Sequence, residues 1–366
     1  MRLVADSGLW STEHPAAPVL MTAVLEVSGA VLSWRVDEPS QLQIAFTDLR
    51  RADWLWRVVG EAGHVELAAQ IRPYPTPGAT VDLAHLGFEP NAVAPLRKLA
   101  MGHWLRRWWP ASSRDGIAAL DPALLDAELA VLTDAAGDYF TDKTFDSDVE
   151  PLLVPHAAAL TAQVAGGDPR VVKLVRACAE LADDVGIERG WPELTALLDA
   201  SQAPVGSTVQ SDYALAAGPQ SRRRDSGVVA GGVASLRWSA VPAGVFDAAE
   251  HTIDWSIVAA GAQPLVVVTV QTAAPVGAAG IPVRLISGSI SVTGVLDDTG
   301  IAVLPLDMTE SGAWNHDWST VIVTVGAVVA ESPDLRDRVR TIARARLAQP
   351  PQDAYLAEIL AAESDY

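Results

Sequence analysis

Seventeen residues, Ala94 to Pro110 (APLRKLAMGHWLRRWWP), divide the chain: apolar residues before them recur with the period of strands, and those after them with the period of helices. Read as a helix, the segment sets Leu96, Ala100, Trp104 and Trp108 four apart, with Met101 and Leu105 beside them, as an apolar stripe. Lys98, Gly102 and Arg106 fall opposite, next to His103, and Pro110 ends the helix. Arg97 and Arg107 interrupt the apolar side, so the helix is expected to touch two environments. Trp104, Arg106, Arg107, Trp108 and Trp109 together have the composition of a protein-binding hot spot. Burial between domains is the competing reading, because three tryptophans in a row of turns are rarely left exposed.

The pattern on either side gives an α+β multidomain chain. Residues 1–90 read as a β-rich domain, with VLMTAVLEV, AVLSWRV and QLQIAF as a meander broken at Ser28-Gly29 and at Asp37-Glu38-Pro39-Ser40. HVELAAQI and VDLAHLGF continue it irregularly. Residues 91–200 read as a block of about five helices, two of which start sharply at Asp121-Pro122 and Asp168-Pro169. The small polar residues 201–212 read as a linker. Residues 213–348 hold seven candidate strands at short spacing, which predicts an Ig-like β-sandwich, followed by a basic helix from Ser332-Pro333-Asp334. A proline break at 350–351 leaves the tail 349–366, acidic and amphipathic, with Tyr355, Leu356, Ile359 and Leu360 on one helical face. A short apolar-faced helix behind such a break is suited to a partner's groove, and equally to packing on its own body.

Within the C-terminal block, Val283 and Leu285, then Asp297, Asp298 and Gly300, then Ile301 and Val303 follow a strand, strand, Asp-Asp-x-Gly turn, strand order. This run resembles the transthyretin-like and carboxypeptidase-regulatory-like sandwich modules. The resemblance spans at most about sixty residues and implies a non-catalytic accessory or binding module, with no active site carried over.

Composition narrows the function classes. The net charge of −19, from 45 acidic and 26 basic residues, repels nucleic-acid phosphates and anionic lipid. No apolar run reaches the ~18 residues of a membrane helix, and the first residues lack a basic start and apolar signal core. One cysteine, Cys178, cannot pair within the chain, which suits a reducing compartment. Arginine outnumbers lysine, as in a GC-rich bacterial genome. A bacterial, cytoplasmic chain, with no nucleic-acid partner and no membrane insertion, is therefore expected. Its twelve tryptophans favour a role in interactions.

Candidate chemistry is sparse. Asp298-Thr299-Gly300 matches the string that opens an aspartic-protease loop, which requires a second aspartate from a symmetric dimer; a hairpin turn accounts for the same letters. His316 and Asp317 lie between Trp314 and Trp318 and offer a base beside a carboxylate. Asp146-Ser147-Asp148-Val149-Glu150 lacks the glycine of a calcium loop, and the histidines lack zinc spacing. Phosphate-loop, dinucleotide and serine-hydrolase signatures are missing. No metal or cofactor is expected, and no catalytic residue is assigned. The leading expectation is a non-enzymatic adaptor or scaffold binding other proteins through Trp104 to Trp109 and the tail. In organisation it is similar to partner components of bacterial defence operons that work beside an ATPase or a protease-like effector. The alternative is a hydrolase with a dispersed site at Asp298 or at His316 and Asp317.

Overall fold

The computed structural model describes residues 1–13, 17–71, 75–83, 86–140, 144–145, 148–200, 227–259, 263–273 and 277–364; the linker read at 201–212 lies outside them. Contacts divide the chain into two units. The first comprises Met1–Trp109, Leu120–Ala203 and Leu335–Tyr366, and the second Pro110–Ala119 and Pro204–Asp334. The sequence-read blocks 1–90 and 91–200 both fall in the first unit, as does the tail.

The first unit opens with a hairpin, β1 (Arg2–Asp6) and β2 (Leu9–Thr12), that sequence reading did not anticipate. The meander follows as β3 (Thr22–Val27), β4 (Ala30–Arg35) and β5 (Leu42–Phe46). Alternation in β4 buries Leu32 and Trp34, as the period-two pattern requires. HVELAAQI is not a strand: it lies in helix α1 (Trp56–Gln70), where Val59, Gly63 and Leu67 recur four apart on the buried side and Ala and Glu favour the helix. With β6 (Thr80–Asp82) the antiparallel sheet has the order β3-β4-β5-β2-β1-β6.

Among the described residues, six helices make up the middle block: α2 (Pro90–Trp108), α3 (Pro122–Gly137), α4 (Val149–Leu153), α5 (Ala157–Ala165), α6 (Pro169–Val185) and α7 (Trp191–Ala200). Both Asp-Pro starts are capped as expected: Asp121 accepts from the N–H groups of Ala123 and Leu124, and Asp168 from that of Arg170.

In the second unit, β7 (Val228–Ala234), β8 (Ile253–Val258), β9 (Leu265–Val270), β10 (Pro282–Ser287), β11 (Ile290–Val295), β12 (Ile301–Pro305) and β13 (Ile322–Val325) form two antiparallel sheets, β12-β9-β8-β7 and β11-β10-β13. Val266, Val268, Ile257 and Leu304 of the first sheet share one apolar core with Val283, Leu285 and Val325 of the second. Helix α8 (Glu310–Asn315) lies between β12 and β13 in sequence. The segment after Pro110 belongs here: Asp247, almost fully buried, accepts from the N–H and hydroxyl of Ser113.

The chain returns to the first unit through α9 (Pro333–Ala348) and α10 (Leu356–Ser364). Tyr355, Leu356, Ala357 and Glu358 are all buried. Fully buried Glu358 takes a two-pronged contact from Arg346 at 2.6 and 2.8 Å and accepts from the Tyr355 N–H at 2.9 Å, which satisfies the desolvated carboxylate. The Tyr355 hydroxyl donates to the Lys98 carbonyl at 2.7 Å and rests on Gly102, where a Cβ would collide with it and with Leu129. Arg97 pairs with Asp353, and Glu128 joins Lys98 to the Leu356 N–H.

Gly102→Ala is therefore expected to destabilise the first unit by about 1–3 kcal/mol through overpacking, seen in thermal unfolding as a fall of roughly 2–4 °C per kcal/mol. Gly137→Ala, at a position open to solvent, leaves the melting temperature nearly unchanged.

Candidate interaction site

The sheet of the first unit changes strand order between β5 and β2, and a crevice opens there. Trp10 pairs with Phe46 and Ser11 with Ala45, and the ladder goes no further. Beyond Trp10 the chain already belongs to the β1–β2 turn, with Leu9 paired to Asp6. Beyond Phe46 it is drawn the opposite way, because the N–H groups of Thr47 and Asp48 both donate to the Gly29 carbonyl at 3.0 Å. Gly29 has φ +71°, and a Cβ there would strike the Asp48 carbonyl, so only glycine permits this crossing. Two neighbouring strands whose connections diverge leave a gap at the sheet end.

The gap has a volume of about 710 Å³. Trp10, Phe46 and Ile71 form an apolar floor, and Asp48, Arg50, Asp53 and His64 stand around it. Asp48 caps the turn Leu49–Arg51, and the Arg50 guanidinium holds its carboxyl below the usual carboxylate range. His64 also lines a second, shallower depression with Trp56, Arg57, Gly60 and Val65. Gly60, at φ +76°, interrupts the helical path inside α1, so the turn carrying Trp56 departs from the axis of the rest of the helix. Trp56, Val65 and Leu9 are exposed, and the Arg57 guanidinium lies 5.1 Å from the Trp56 ring and 5.7 Å from that of Tyr139.

The residues singled out from sequence are placed differently. Trp104 is buried, its indole N–H donating to the Leu20 carbonyl at 2.9 Å. Trp108 and Trp109 are half-buried, and the Arg107 guanidinium stacks on Trp108 at 4.1 Å. Arg106 is exposed but reaches buried Asp126: its Nε lies 2.9 Å from Asp126 Oδ1, outside hydrogen-bond alignment, while Asp126 Oδ2 meets His156 Nε2 at 3.0 Å. His103 sits nearby, its imidazole pKa lowered by burial and by Arg106. In the tail, Tyr355 and Leu356 are buried against their own unit, and Ile359 and Leu360 are half-buried.

In the second unit, Asp297 rather than Asp298 organises the D-T-G turn, accepting from the N–H groups of Thr299 and Ile301 at 2.9 Å. Asp298 is exposed. Asp317 caps the turn Trp318–Thr320 through the Ser319 N–H, and bonding from the side chain and backbone of Ser319 holds its carboxyl below the usual range. Its neighbour His316 turns to Ser287, Nε2 to Oγ 2.9 Å, and packs edge-on against Trp318 at 4.3 Å. Ser287 is fully buried. Asp146 and Ser147 lie outside the described residues.

No protein-family model, curated protein or solved structure matches this chain. Among the described residues, no helix is long and apolar enough to cross a membrane. Sequence reading missed the crevice altogether. Asp48 before a short turn and Gly29 in a hairpin were visible signals, but the adjacency of β2 and β5 joins residues more than thirty positions apart.

Cys178 is buried, donates to the Ala127 carbonyl at 3.3 Å, and has its thiol pKa pushed up to about 12 by desolvation. A thiol held protonated is a poor nucleophile. Ellman's reagent at pH 8 is expected to leave the native chain unreacted over an hour and to titrate one thiol after denaturation; rapid native labelling would contradict the burial.

Proposed function

We propose that the chain is a non-enzymatic adaptor or scaffold subunit that holds another protein through the β5–β2 crevice and the adjoining Trp56 face. One observation carries the reading: an apolar-floored crevice adjoins an exposed tryptophan and arginine. Tryptophan and arginine are the residues most enriched where binding energy concentrates. Among the described residues, which include every tryptophan, only Trp56 and Trp314 are exposed. The partner's apolar side chain fills the floor at Trp10 and Phe46 while its backbone lies along Trp56 and His64. Trp108, Trp109, Arg106 and Arg107 are a secondary contact in this reading. Tyr355 and Leu356 bind a partner only if the tail leaves its own unit.

The setting we propose is a bacterial cytoplasmic complex, of the kind built around an ATPase or a protease-like effector in defence operons. Arginine-rich basic usage and a single sequestered cysteine support the compartment. Two antiparallel sheets about one core, with the Asp297 turn between β11 and β12, support reading the second unit as an Ig-like accessory module.

A second reading, a hydrolase, draws support from the Ser287–His316 contact. Labelling of Ser287 by a fluorophosphonate probe, abolished by His316→Ala, would favour the hydrolase; the full burial of Ser287 favours the adaptor. For the adaptor itself, the full chain and its Trp56→Glu, Leu9→Glu and Trp314→Ala variants are used as baits in a lysate of the source organism. A stoichiometric partner is expected with the wild type and Trp314→Ala, reduced at least about tenfold by either crevice variant, a loss of about 1.4 kcal/mol or more. Equal recovery with all four baits would refute the crevice as the binding site.

A further inference from the structure

The four-stranded sheet of the second unit has two apolar faces. Its core face is made by Ile257, Val266, Val268 and Leu304. Strand alternation sends the intervening residues to the opposite face, where the cross-strand pairs are Val303 with Val267, Pro305 with Leu265, and Val258 with Val228. Ile301 and Val233 complete it, and Thr269, Ser256 and Asp254 are its polar positions. Val303 and Val233 are 57% and 51% exposed. A sandwich sheet ordinarily turns polar residues outward. The companion sheet does so in part: Arg284 pairs with Thr293 and Thr324, beside the apolar pairs Pro282–Val295 and Ile286–Ile322. The outward side of β12-β9-β8-β7 carries no such basic residue, and its contiguous apolar patch at Val258, Leu265, Val267, Val303 and Pro305 marks an interaction surface.

Charge and size choose the occupant. The four strands contain no lysine or arginine, and β12 is bracketed by exposed Asp297 and Asp298 before it and Asp307 after it. Bonding to Thr299 and Ile301 holds Asp297 ionised. By strand spacing and rise the face measures about 15–20 Å on a side, a footprint on the order of 300 Å². A second copy would bring two acidic rims together, in a chain already at −19. A helix of about eleven residues, ~16 Å long and ~10 Å wide, matches the face.

We infer that the outward face of β12-β9-β8-β7 binds an amphipathic helix of a partner protein, apolar on one side and bordered by lysine or arginine. This surface is independent of the crevice in the first unit, and its substitutions leave that crevice unchanged.

The test uses the full chain and a fluorescein-labelled 18-residue Leu/Lys amphipathic peptide in an anisotropy titration, beside its Leu/Glu counterpart. Saturable binding of the Leu/Lys peptide is expected, at least about tenfold tighter than that of Leu/Glu. Val303→Lys is expected to weaken it at least tenfold. Ile322→Lys, which adds the same charge at an exposed position on the other sheet, is expected to change it less than about twofold. Three results would overturn the inference: absence of saturable Leu/Lys binding; equal effects of Val303→Lys and Ile322→Lys; or a dimer in sedimentation equilibrium that Val303→Lys converts to monomer, which would give the face to a second copy.

Discussion

The contact of Tyr355 with Gly102 is the constraint on which the first unit depends. Gly102 stands on the side of α2 that carries Lys98 and Arg106, and it is the gap in that side that admits an aromatic ring. The hydroxyl of Tyr355 finds the Lys98 carbonyl, its backbone N–H finds Glu358, and Lys98 lies over its ring at 5.2 Å while pairing with Glu128. Chain segments more than 250 positions apart are thereby fixed to one helix. At the far end of α10, Arg170 joins Asp168 and Glu363, and both carboxyls are held below their usual range by that guanidinium. The sign is the one for depressed acids: whatever the clamp contributes is present at neutral pH and is lost as pH falls through the lowered values, about 2 for Asp168.

With the tail seated in this way, the surfaces open to a partner lie elsewhere. Most of the tryptophan serves packing: Trp34, Trp54 and Trp191 are fully buried, and Trp104 is fixed by its hydrogen bond to Leu20. Trp56 is left outward by the interruption at Gly60. The crevice beside it arises from topology, since β2 and β5 are neighbours whose connections leave in opposite directions. The second unit presents a different kind of surface, a sheet face with an apolar patch, flanked along the chain by exposed Asp297, Asp298 and Asp307.

What could be read from sequence follows the range of the forces involved. The two Asp-Pro caps, the β3–β4–β5 meander and six of the seven second-unit strands were legible because each is set by residues within a turn or two. The exception is β7, which runs through a glycine pair and a bulge that blur its alternation. HVELAAQI misled because Val and Ile at its ends mimic a strand while the repeat that matters, Val59, Gly63 and Leu67, starts outside it. The composition of the α2 hot spot and the prospect of its burial were legible, but the residues that cover it were not, because Tyr355 and Leu20 meet α2 from distant parts of the chain. The outward apolar face escaped notice for the same reason: each strand alone reads as an ordinary buried run, and only the register shows that both faces are apolar.

The central claim is that binding occurs at the crevice and Trp56 face while the tail stays seated. Hydrogen–deuterium exchange of the complex with its captured partner tests it most directly. The account predicts slowed exchange in residues 8–10, 46–50 and 56–65 on binding, with residues 353–364 unchanged. Protection confined to the end of α2, or loosening of 353–364 when the partner binds, would contradict it and assign the interaction to the tryptophan-rich helix or to a released tail.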